Sequence, residues 1–138
     1  MTTVVVVRKA GQVAIAADTM VTFGDTRLGH RFEGNSKIFK LDAAAGPTYI
    51  GMSGTVAHFP VLRKAMQSMP KDMLLLGSKD EIFDTFTKLH GFLKENFFLQ
   101  TKEDDNDPYE SSQFSVVIAN QTGIYGLYSY REVFEFKE

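Results

Sequence analysis

Two apolar runs open the chain, and a short polar break separates them. Residues 3–7 read Thr-Val-Val-Val-Val, residues 13–17 read Val-Ala-Ile-Ala-Ala, and Arg-Lys-Ala-Gly-Gln lies between them. β-Branched runs on either side of a glycine-containing break predict two strands joined by a tight turn. Neither run alternates strictly between apolar and polar residues, which indicates a sheet covered on both faces.

The turn determines which residues of the two strands face each other. If its loop has two or three residues around Ala10 and Gly11, the numbers of paired residues sum to about 20 or 21. Thr2 or Thr3 then lies opposite Asp18. Opposed Cβ atoms on one sheet face are about 5 Å apart, so the pattern predicts a buried carboxylate beside the first threonines.

Short strands with turns between them follow this hairpin. Gly24 and Asp25 mark a turn, residues 33–36 and 42–47 have loop composition, and residues 37–41 alternate as a strand does. We predict a meander, whose remaining strands are at residues 48–53, 114–119, 124–130 and 133–136.

Two stretches between these strands have helical periodicity. The first has Thr55 as its expected N-cap, while Pro60 predicts either a later start or a kink. The second begins with capping-box spacing at residues 78–81. An apolar stripe predicted to pack on a sheet follows; it consists of Ile82, Phe83, Phe86, Leu89, Leu93 and Phe97.

The composition limits the classes of function. The chain has 138 residues, 43% hydrophobic and 23% charged residues, and a formal net charge of −2, which predicts one globular domain over residues 1–138. No lysine and arginine cluster gives the electrostatic footprint of a nucleic-acid-binding or membrane-binding protein, so we expect neither partner. The absence of cysteine excludes disulfides and thiol catalysis. Without a secretion signal or a membrane-length apolar segment, the expected location is the cytoplasm.

The sequence gives no reason to expect a metal or another cofactor. The acidic stretch at residues 101–112 lacks the central glycine and final glutamate of an EF-hand loop, so we predict a solvated loop. His30, His58 and His90 are scattered without ligand spacing and are expected to be ordinary surface or packing residues.

Thr2 is the residue on which a catalytic hypothesis can be built. Met1 precedes a small residue and is therefore removable, and its removal would give Thr2 a free α-amine. An α-amine has a pKa of about 7.7 to 8, against about 10.4 for lysine, so it can act as a base near neutrality. It can accept the proton of the same residue's hydroxyl, as in known threonine nucleophiles. The alternative is that Thr2 and Thr3 merely begin a strand, and the hairpin alone favours that alternative.

Five ordered segments together resemble a known family. They are residues 2–6, 16–19, 22–24, 37–41 and 50–55, which include Ala16-Ala17-Asp18-Thr19 and Ile50-Gly51-Met52-Ser53-Gly54-Thr55. In this order and at these separations the chain resembles proteasome-type β subunits. It is most similar to the bacterial relatives, the HslV-type peptidases and the β-proteobacterial proteasome homologues.

The resemblance implies roles for four residues. Thr2 would be the nucleophile, Asp18 the aspartate beside it, and Lys37 the positive charge that lowers the proton affinity of the amine. The backbone N–H of Gly54 would donate to the oxyanion from a helix N-terminus. Apart from the family, Lys37 would be a solvated strand charge, or would form a structural ion pair with Asp18, and Gly54 a common glycine before a helix.

The resemblance also implies how a substrate would bind. Thr22 matches the residue whose backbone pairs with an extended peptide, a form of β-augmentation. We place Val56 in the same substrate-binding site.

The implied fold is α+β, an N-terminal nucleophile hydrolase four-layer α-β-β-α sandwich of antiparallel sheets. Beyond the position of Glu138 the family continues into a Gly-Ser-Gly segment, whose serine lies beside the nucleophile, and into further strands and helices. We therefore expect a C-terminally incomplete domain with an apolar sheet face uncovered. We also expect protein that retains Met1 to be nearly inactive.

The implied function is that of a threonine endopeptidase subunit. It would hydrolyse unfolded polypeptides inside a self-compartmentalising ring of identical subunits, with an ATP-dependent unfoldase as a further partner. Two alternatives stay open: a noncatalytic ring-forming scaffold subunit of the same fold, and a small-molecule amide hydrolase, since fold does not fix substrate.

Overall fold

The computed structural model describes residues 2–29, 36–101 and 106–137. Most of the turn predicted at residues 33–36, His30 and the acidic residues at 103–105 lie outside this part of the chain. In chain order the elements are β1 (Val4–Lys9), β2 (Gln12–Ala17), β3 (Thr22–Phe23), β4 (Thr26–Arg27), β5 (Ile38–Ala43), β6 (Gly46–Gly54), α1 (His58–Gln67), a 3₁₀ helix (Lys71–Met73), α2 (Lys79–Asn96), β7 (Phe114–Asn120), β8 (Gly123–Leu127) and β9 (Val133–Phe136).

A five-stranded antiparallel sheet is the framework of the described chain. Its strand order is β5-β6-β7-β8-β9, so that β6 is joined to β7 through the two helices and every other neighbour follows directly in sequence. The helices pack on one face of this sheet. The apolar core between them is formed by Phe59, Leu62, Ala65 and Met66 of α1, Ile82, Phe86, Leu89 and Leu93 of α2, and strand residues that include Leu41, Ile50, Met52, Val116, Ile118 and Leu127. Burial of each large side chain contributes about 1.5 to 3 kcal/mol.

The second helix confirms most of its sequence prediction. Ser78 has extended backbone angles and its hydroxyl accepts the Glu81 N–H at 3.3 Å, so it caps α2 as the spacing indicated. Four residues of the predicted stripe are almost fully buried, and Phe97 is partly buried against the core. Phe83 is the exception: it is 48% exposed because it lies on the outer side of the helix.

The first helix begins later than Thr55, which corrects the predicted N-cap. Its N-cap is Ala57, without a side-chain cap bond, and Pro60 is the third helical residue. The carbonyl oxygens of Thr55 and Val56 accept the N–H groups of His58 and Phe59 at 2.9 and 3.1 Å. A turn therefore separates the end of β6 from the helix, as the later-start alternative for Pro60 indicated.

The N-terminal hairpin has the predicted register. Val4 faces Ala17 in β1 and β2, so paired residue numbers sum to 21. Ala10 and Gly11 both have positive φ, 52° and 77°, which is the backbone of a two-residue type I′ turn.

One face of this hairpin lies on the large sheet, on the side away from the helices. A Cβ added at Gly51 of β6 would lie 2.6 Å from Val4 Cγ1 and 3.3 Å from Ile15 Cδ1, so the glycine permits this close approach. The opposite face exposes Val5 and Val7, which are 50% and 54% accessible. The prediction of a sheet covered on both faces is therefore wrong for the described residues.

The strands lie where the sequence predicted them, but several of them end at other residues than expected. The loop expected at residues 42–47 is only Ala44 and Ala45, because β5 and β6 stay paired up to Ala43 and Gly46. The strand expected to end at residue 130 ends at Leu127, where the Tyr128 and Arg131 backbone forms a turn. The Gly24-Asp25 turn is confirmed as the link between β3 and β4.

The described elements form a mixed α+β fold. It contains a helical layer, the five-stranded sheet and a two-stranded hairpin on the other face, with the β3–β4 pair as a second small sheet. The four-layer sandwich remains a prediction.

Candidate active site

Asp18 follows β2 and joins three parts of the chain. Its Oδ1 accepts the Thr3 N–H at 2.7 Å, and its Oδ2 accepts the Met20 N–H at 3.1 Å and the Lys37 ammonium at 2.8 Å. The Asp18 N–H in turn donates to the Thr3 carbonyl at 3.2 Å. The hairpin prediction therefore placed the carboxylate correctly beside Thr3. It overestimated the burial of Asp18, whose side chain is 33% exposed.

Lys37 is the buried partner of this ion pair. Its side chain is 1% exposed, and it lies immediately before β5. The Lys37 carbonyl accepts the Met52 N–H at 2.9 Å, which ties its backbone to β6. The alternative of a solvated strand charge is therefore wrong, because the ammonium lies beneath the hairpin end and contacts Asp18.

These contacts favour the ionised form of Asp18. The Lys37 hydrogen bond, followed by the Thr3 N–H, lowers the pKa of Asp18 from 3.8 to about 2. The folded state thus prefers the carboxylate, and the resulting stabilisation is present above pH 3.8 and is lost as the pH falls to about 2.

A cleft of about 280 Å³ lies beside this pair. Five of the six residues predicted from the sequence line it: Thr2, Thr22, Lys37, Gly54 and Val56. The sixth, Asp18, joins the group through its 2.8 Å bond to Lys37. The cleft therefore combines a threonine hydroxyl, a buried cation and the end of β6.

Gly54 lines this cleft, and strand geometry indicates on which edge of β6 its N–H lies. Alternate amides of a strand point to the same side, and the Met52 N–H donates to Lys37. The Gly54 N–H therefore points to the Lys37 side of β6, beyond the residue at which β5 begins. Gly54 is the last residue of β6 and has φ 133°. The expected helix N-terminus at Gly54 is corrected, because three residues separate it from α1.

Thr22 lies in β3, at the other wall of the cleft. β3 pairs with β4 only, through Thr22–Arg27 and Phe23–Thr26, among the described strands. Its other edge has no paired strand within residues 2–29, 36–101 and 106–137.

Four cleft residues were not among the predicted site residues: Met20, Thr55, Ala57 and Phe59. Met20 and Phe59 are far apart along the chain, and periodicity cannot show that they meet. Phe59 has the spacing expected of a helix, but that spacing does not indicate a cleft. It lines the cleft as well as the core.

A second cavity, of about 490 Å³, lies between α2 and the residues 68–75 that connect the two helices, and contains none of the predicted site residues. Its walls include Met69, Met73, Leu75 and Phe92. We assign the chemistry to the smaller cleft, because that one contains the threonine and the buried cation.

Within residues 2–29, 36–101 and 106–137, no group of three or more histidine, aspartate or glutamate side chains could hold a metal ion. No helix of that part is long and apolar enough to cross a bilayer.

Comparisons with known proteins identify similar solved structures. No family model matches the chain, and no curated protein matches it. The structure of Thiobacillus denitrificans BPH matches with 34% sequence identity and a TM-score of 0.83, over 100% of this chain and 69% of that one. The structure of Thiobacillus denitrificans BPH in complex with Epoxomicin matches with 33% identity and a TM-score of 0.82, over the same shares of both chains.

Proposed function

The chain belongs to the same family as Thiobacillus denitrificans BPH and has its proteasome-like fold, and from this premise we propose that it is a threonine peptidase subunit. The relative was solved with epoxomicin, a proteasome inhibitor. The observation that carries the proposal is the shared cleft of Thr2, Lys37 and Gly54, with Asp18 bonded to Lys37 at 2.8 Å.

In the proposed reaction, Thr2 acts after removal of Met1. Its α-amine takes the hydroxyl proton as Oγ bonds to the scissile carbonyl carbon. The same proton passes to the leaving amine when the C–N bond breaks. Water then attacks the resulting ester, gives a proton to the α-amine, and releases the acid while that proton returns to Thr2 Oγ.

Lys37 and Asp18 prepare the nucleophile in this scheme. The buried ammonium of Lys37 disfavours protonation of the nearby amine and so keeps a fraction of it available as a base. Asp18 fixes Lys37 and, through the Thr3 N–H, the backbone next to Thr2. Asp18 does not exchange a proton in the reaction, because its pKa is about 2.

Gly54 and Thr22 act through their backbones. The Gly54 N–H donates to the oxygen that becomes negative in the tetrahedral intermediate, and loss of one such donor typically costs about 100-fold to 1,000-fold in rate. The substrate peptide adds to the edge of β3 at Thr22, and Val56 contacts its side chains. Unfolded chains are the expected substrates, because only an extended backbone can pair with a strand edge.

Intact-mass measurement with epoxomicin tests the nucleophile directly. We expect protein trimmed of Met1 to gain the mass of one inhibitor, Thr2→Ala protein to gain none, and peptide hydrolysis by Thr2→Ala to fall at least about 1,000-fold. Thr3→Ala is the matched control, because it changes the neighbouring exposed threonine and leaves its backbone N–H in place. It is expected to react normally.

An adduct that persists in Thr2→Ala would contradict the proposal. If trimmed wild-type protein forms no adduct and cleaves no peptide, the chain is a noncatalytic scaffold subunit, in which the Asp18–Lys37 pair is structural only. Hydrolysis of small acyl amides without hydrolysis of unstructured peptides would identify the small-molecule amide hydrolase alternative.

We further propose the assembly and the setting implied by the family resemblance. The domain over residues 1–138 has the N-terminal nucleophile hydrolase architecture, and identical subunits form an HslV-like ring that encloses the clefts. An ATP-dependent unfoldase supplies unfolded polypeptide, in the cytoplasm. Enclosure would prevent a protease of broad specificity from reaching folded proteins.

A further inference from the structure

His90 is a buried titratable group that the proposed reaction does not use. It lies on α2, is 8% exposed, and forms two side-chain hydrogen bonds. Its Nδ1 lies 2.8 Å from Ser112 Oγ, and its Nε2 lies 3.0 Å from Glu110 Oε2. Both partners belong to the segment that leads into β7.

Glu110 and Arg131 determine the direction of these hydrogen bonds. The Glu110 carboxylate can only accept, so Nε2 of a neutral His90 carries the hydrogen and Nδ1 is an acceptor. The Ser112 hydroxyl then donates to Nδ1, while its Oγ accepts from Arg131 Nη1 at 3.0 Å, and Nη1 lies 3.5 Å from His90 Nδ1. Each of these hydrogen bonds then has one donor and one acceptor. Lys94, which lies on α2 like His90, donates from Nζ to Glu110 Oε1 at 2.6 Å and balances the charge of that carboxylate.

The network joins three separate parts of the fold: α2, residues 110–112, and the turn after β8. The Ser112 N–H also donates to the Ser129 carbonyl of that turn, at 2.7 Å. Asp107 accepts a 2.6 Å hydrogen bond from Tyr130 in the same turn. Ser112 is only 1% exposed, so its hydroxyl is not accessible to a substrate.

That backbone reaches the candidate active site within two residues. Gln113 has φ 62°, a conformation that needs support from its surroundings. A Cβ added to Gly54 would lie 3.4 Å from Gln113 O and 3.6 Å from Phe114 Cα, so this stretch packs directly against the glycine. Gly54 also pairs with Phe114 across β6 and β7.

We propose that His90, Ser112 and Arg131 form a pH-sensitive positioning network, which holds Gln113 and Phe114 against Gly54 and thereby orients its N–H in the cleft. The proposal rests on the proposed function, since it concerns the oxyanion donor of that reaction. The three residues are positioning residues, because none of them lines the cleft.

Protonation of His90 disturbs this arrangement. Nδ1 then carries a hydrogen and becomes a donor, so the buried Ser112 hydroxyl loses the acceptor of its own hydrogen. A second cation then also lies 3.5 Å from the guanidinium. Burial is the main cause that lowers the pKa of His90 below 6.5; Arg131 and Lys94 act in the same direction and Glu110 in the opposite one. The ordered network is therefore complete above pH 6.5 and is lost as the pH falls through the lowered pKa of His90.

Nuclear magnetic resonance of the Gly54 amide tests the network without requiring activity. In trimmed protein we expect the Gly54 N–H resonance to shift on acidification, together with the His90 ring protons, and His90→Gln to abolish that step. A separate step from titration of the Thr2 amine should remain in His90→Gln. If the Gly54 N–H resonance does not shift as His90 titrates, the proposal is overturned.

A second histidine supplies the control. His58 contacts Phe114, with ring centroids 5.9 Å apart, and burial lowers its pKa as well. His58→Gln is expected to leave the His90-linked step of Gly54 in place. If that step disappears in His58→Gln and persists in His90→Gln, the network is not its source, and the proposal fails.

Kinetics with a fluorogenic peptide amide provide the functional readout. His90→Gln and Ser112→Ala are expected to lower kcat about tenfold, part of the loss expected for an oxyanion donor, with KM little changed. His90→Gln is also expected to remove the His90-linked step from the acid side of the kcat profile, while the acid limb that comes from the Thr2 α-amine remains. Thr85→Val is the matched control, because it deletes a buried 2.8 Å bond to Leu75 O elsewhere on α2.

The outcomes separate the two proposals. Equal losses in Thr85→Val and His90→Gln would show a general stability effect and overturn the positioning role. If the wild type hydrolyses no peptide and reacts with no epoxomicin, the proposed function fails, while the Gly54 titration still decides whether the network controls the orientation of that amide.

Discussion

The Asp18 carboxylate accepts hydrogen bonds from the Thr3 N–H, the Met20 N–H and the Lys37 ammonium. The first of these was predictable, because the type I′ turn fixes the register and brings residue 18 to residue 3. Lys37 was not predictable from pattern, since an alternating strand gives no sign that its first lysine is buried. Only the family resemblance singled it out. The burial of Asp18 was overestimated for a related reason: a strand end can stay partly open to water even where its neighbours are covered.

Lys37 is more deeply buried than Asp18. Neutral substitutions of the two residues should therefore lower stability to different extents. Asp18→Asn takes the carboxylate away from the buried Lys37 ammonium and should lower the free energy of unfolding by more than Lys37→Met does. Lys37→Met leaves a partly exposed carboxylate that keeps two N–H donors, and should cost about 1.5 to 3 kcal/mol. Urea denaturation at pH 7 measures both values.

The dependence of the unfolding free energy on pH in acid tests the contribution of Lys37 to the ion pair. In Lys37→Met the pKa of Asp18 should rise from about 2 toward 3.8, so the acid-dependent loss of unfolding free energy should be smaller and should end at a higher pH than in the wild type. Profiles that superimpose between pH 2 and pH 5, or an Asp18→Asn cost below that of Lys37→Met, would contradict this explanation of the ion pair.

The two helices show when local sequence determines where an element begins. At α2, Ser78 has extended angles and a following Glu81 N–H to accept, so capping chemistry alone located the start. At α1, the strand ends in Gly54 with φ 133°, and the turn after it satisfies its own N–H groups. Thr55 is therefore not required as a cap. The loop predicted at residues 42–47 was too long for a comparable reason, since cross-strand pairing extends β5 and β6 into a sequence of poor strand propensity.

The Ser78 cap can be tested by itself. Ser78→Ala should reduce the free energy of unfolding by about 1 kcal/mol, because the Glu81 N–H loses its acceptor at the start of the helix. Thr87→Ala is the matched control: Thr87 is exposed in the same helix and its hydroxyl donates to the Phe83 carbonyl of the preceding turn, so its replacement should change stability by at most about 0.5 kcal/mol. Equal effects of the two substitutions would contradict the assignment of Ser78 as the cap.

The order of strands and helices in the described chain was predicted from the sequence, but their arrangement in layers was predicted only in part. The sequence indicated strands, two helices and strands again, and the structure places both helices on one face of the large sheet. The sequence did not show that the hairpin forms its own small sheet, because pairing partners across the long connection through the helices are not encoded locally. Exposed apolar side chains remain on the hairpin and on the β8–β9 side of the sheet; they are Val5, Val7, Tyr128, Phe134 and Phe136.

Ring assembly makes a prediction about size. Light scattering after size-exclusion chromatography should give a mass that is a multiple of the 15.5 kDa chain, and the multiple should persist on dilution if the ring is stable. Thr2→Ala should assemble equally well, because the nucleophile is needed for the reaction and not for subunit contacts. A monomer at high concentration would contradict the ring, while leaving the epoxomicin test of Thr2 unaffected.

The two-residue turn at Ala10 and Gly11 has a practical consequence for protein engineering. Each strand of the hairpin carries the same number of residues from the turn to the Thr3–Asp18 contact. An insertion within either strand would move a threonine to the opposite face, because side chains alternate with a period of two. Extra residues at the exposed turn leave that spacing intact. Since the proposed chemistry requires an unblocked amine at Thr2, an affinity tag or fluorescent label is better introduced at this turn than at the start of the chain.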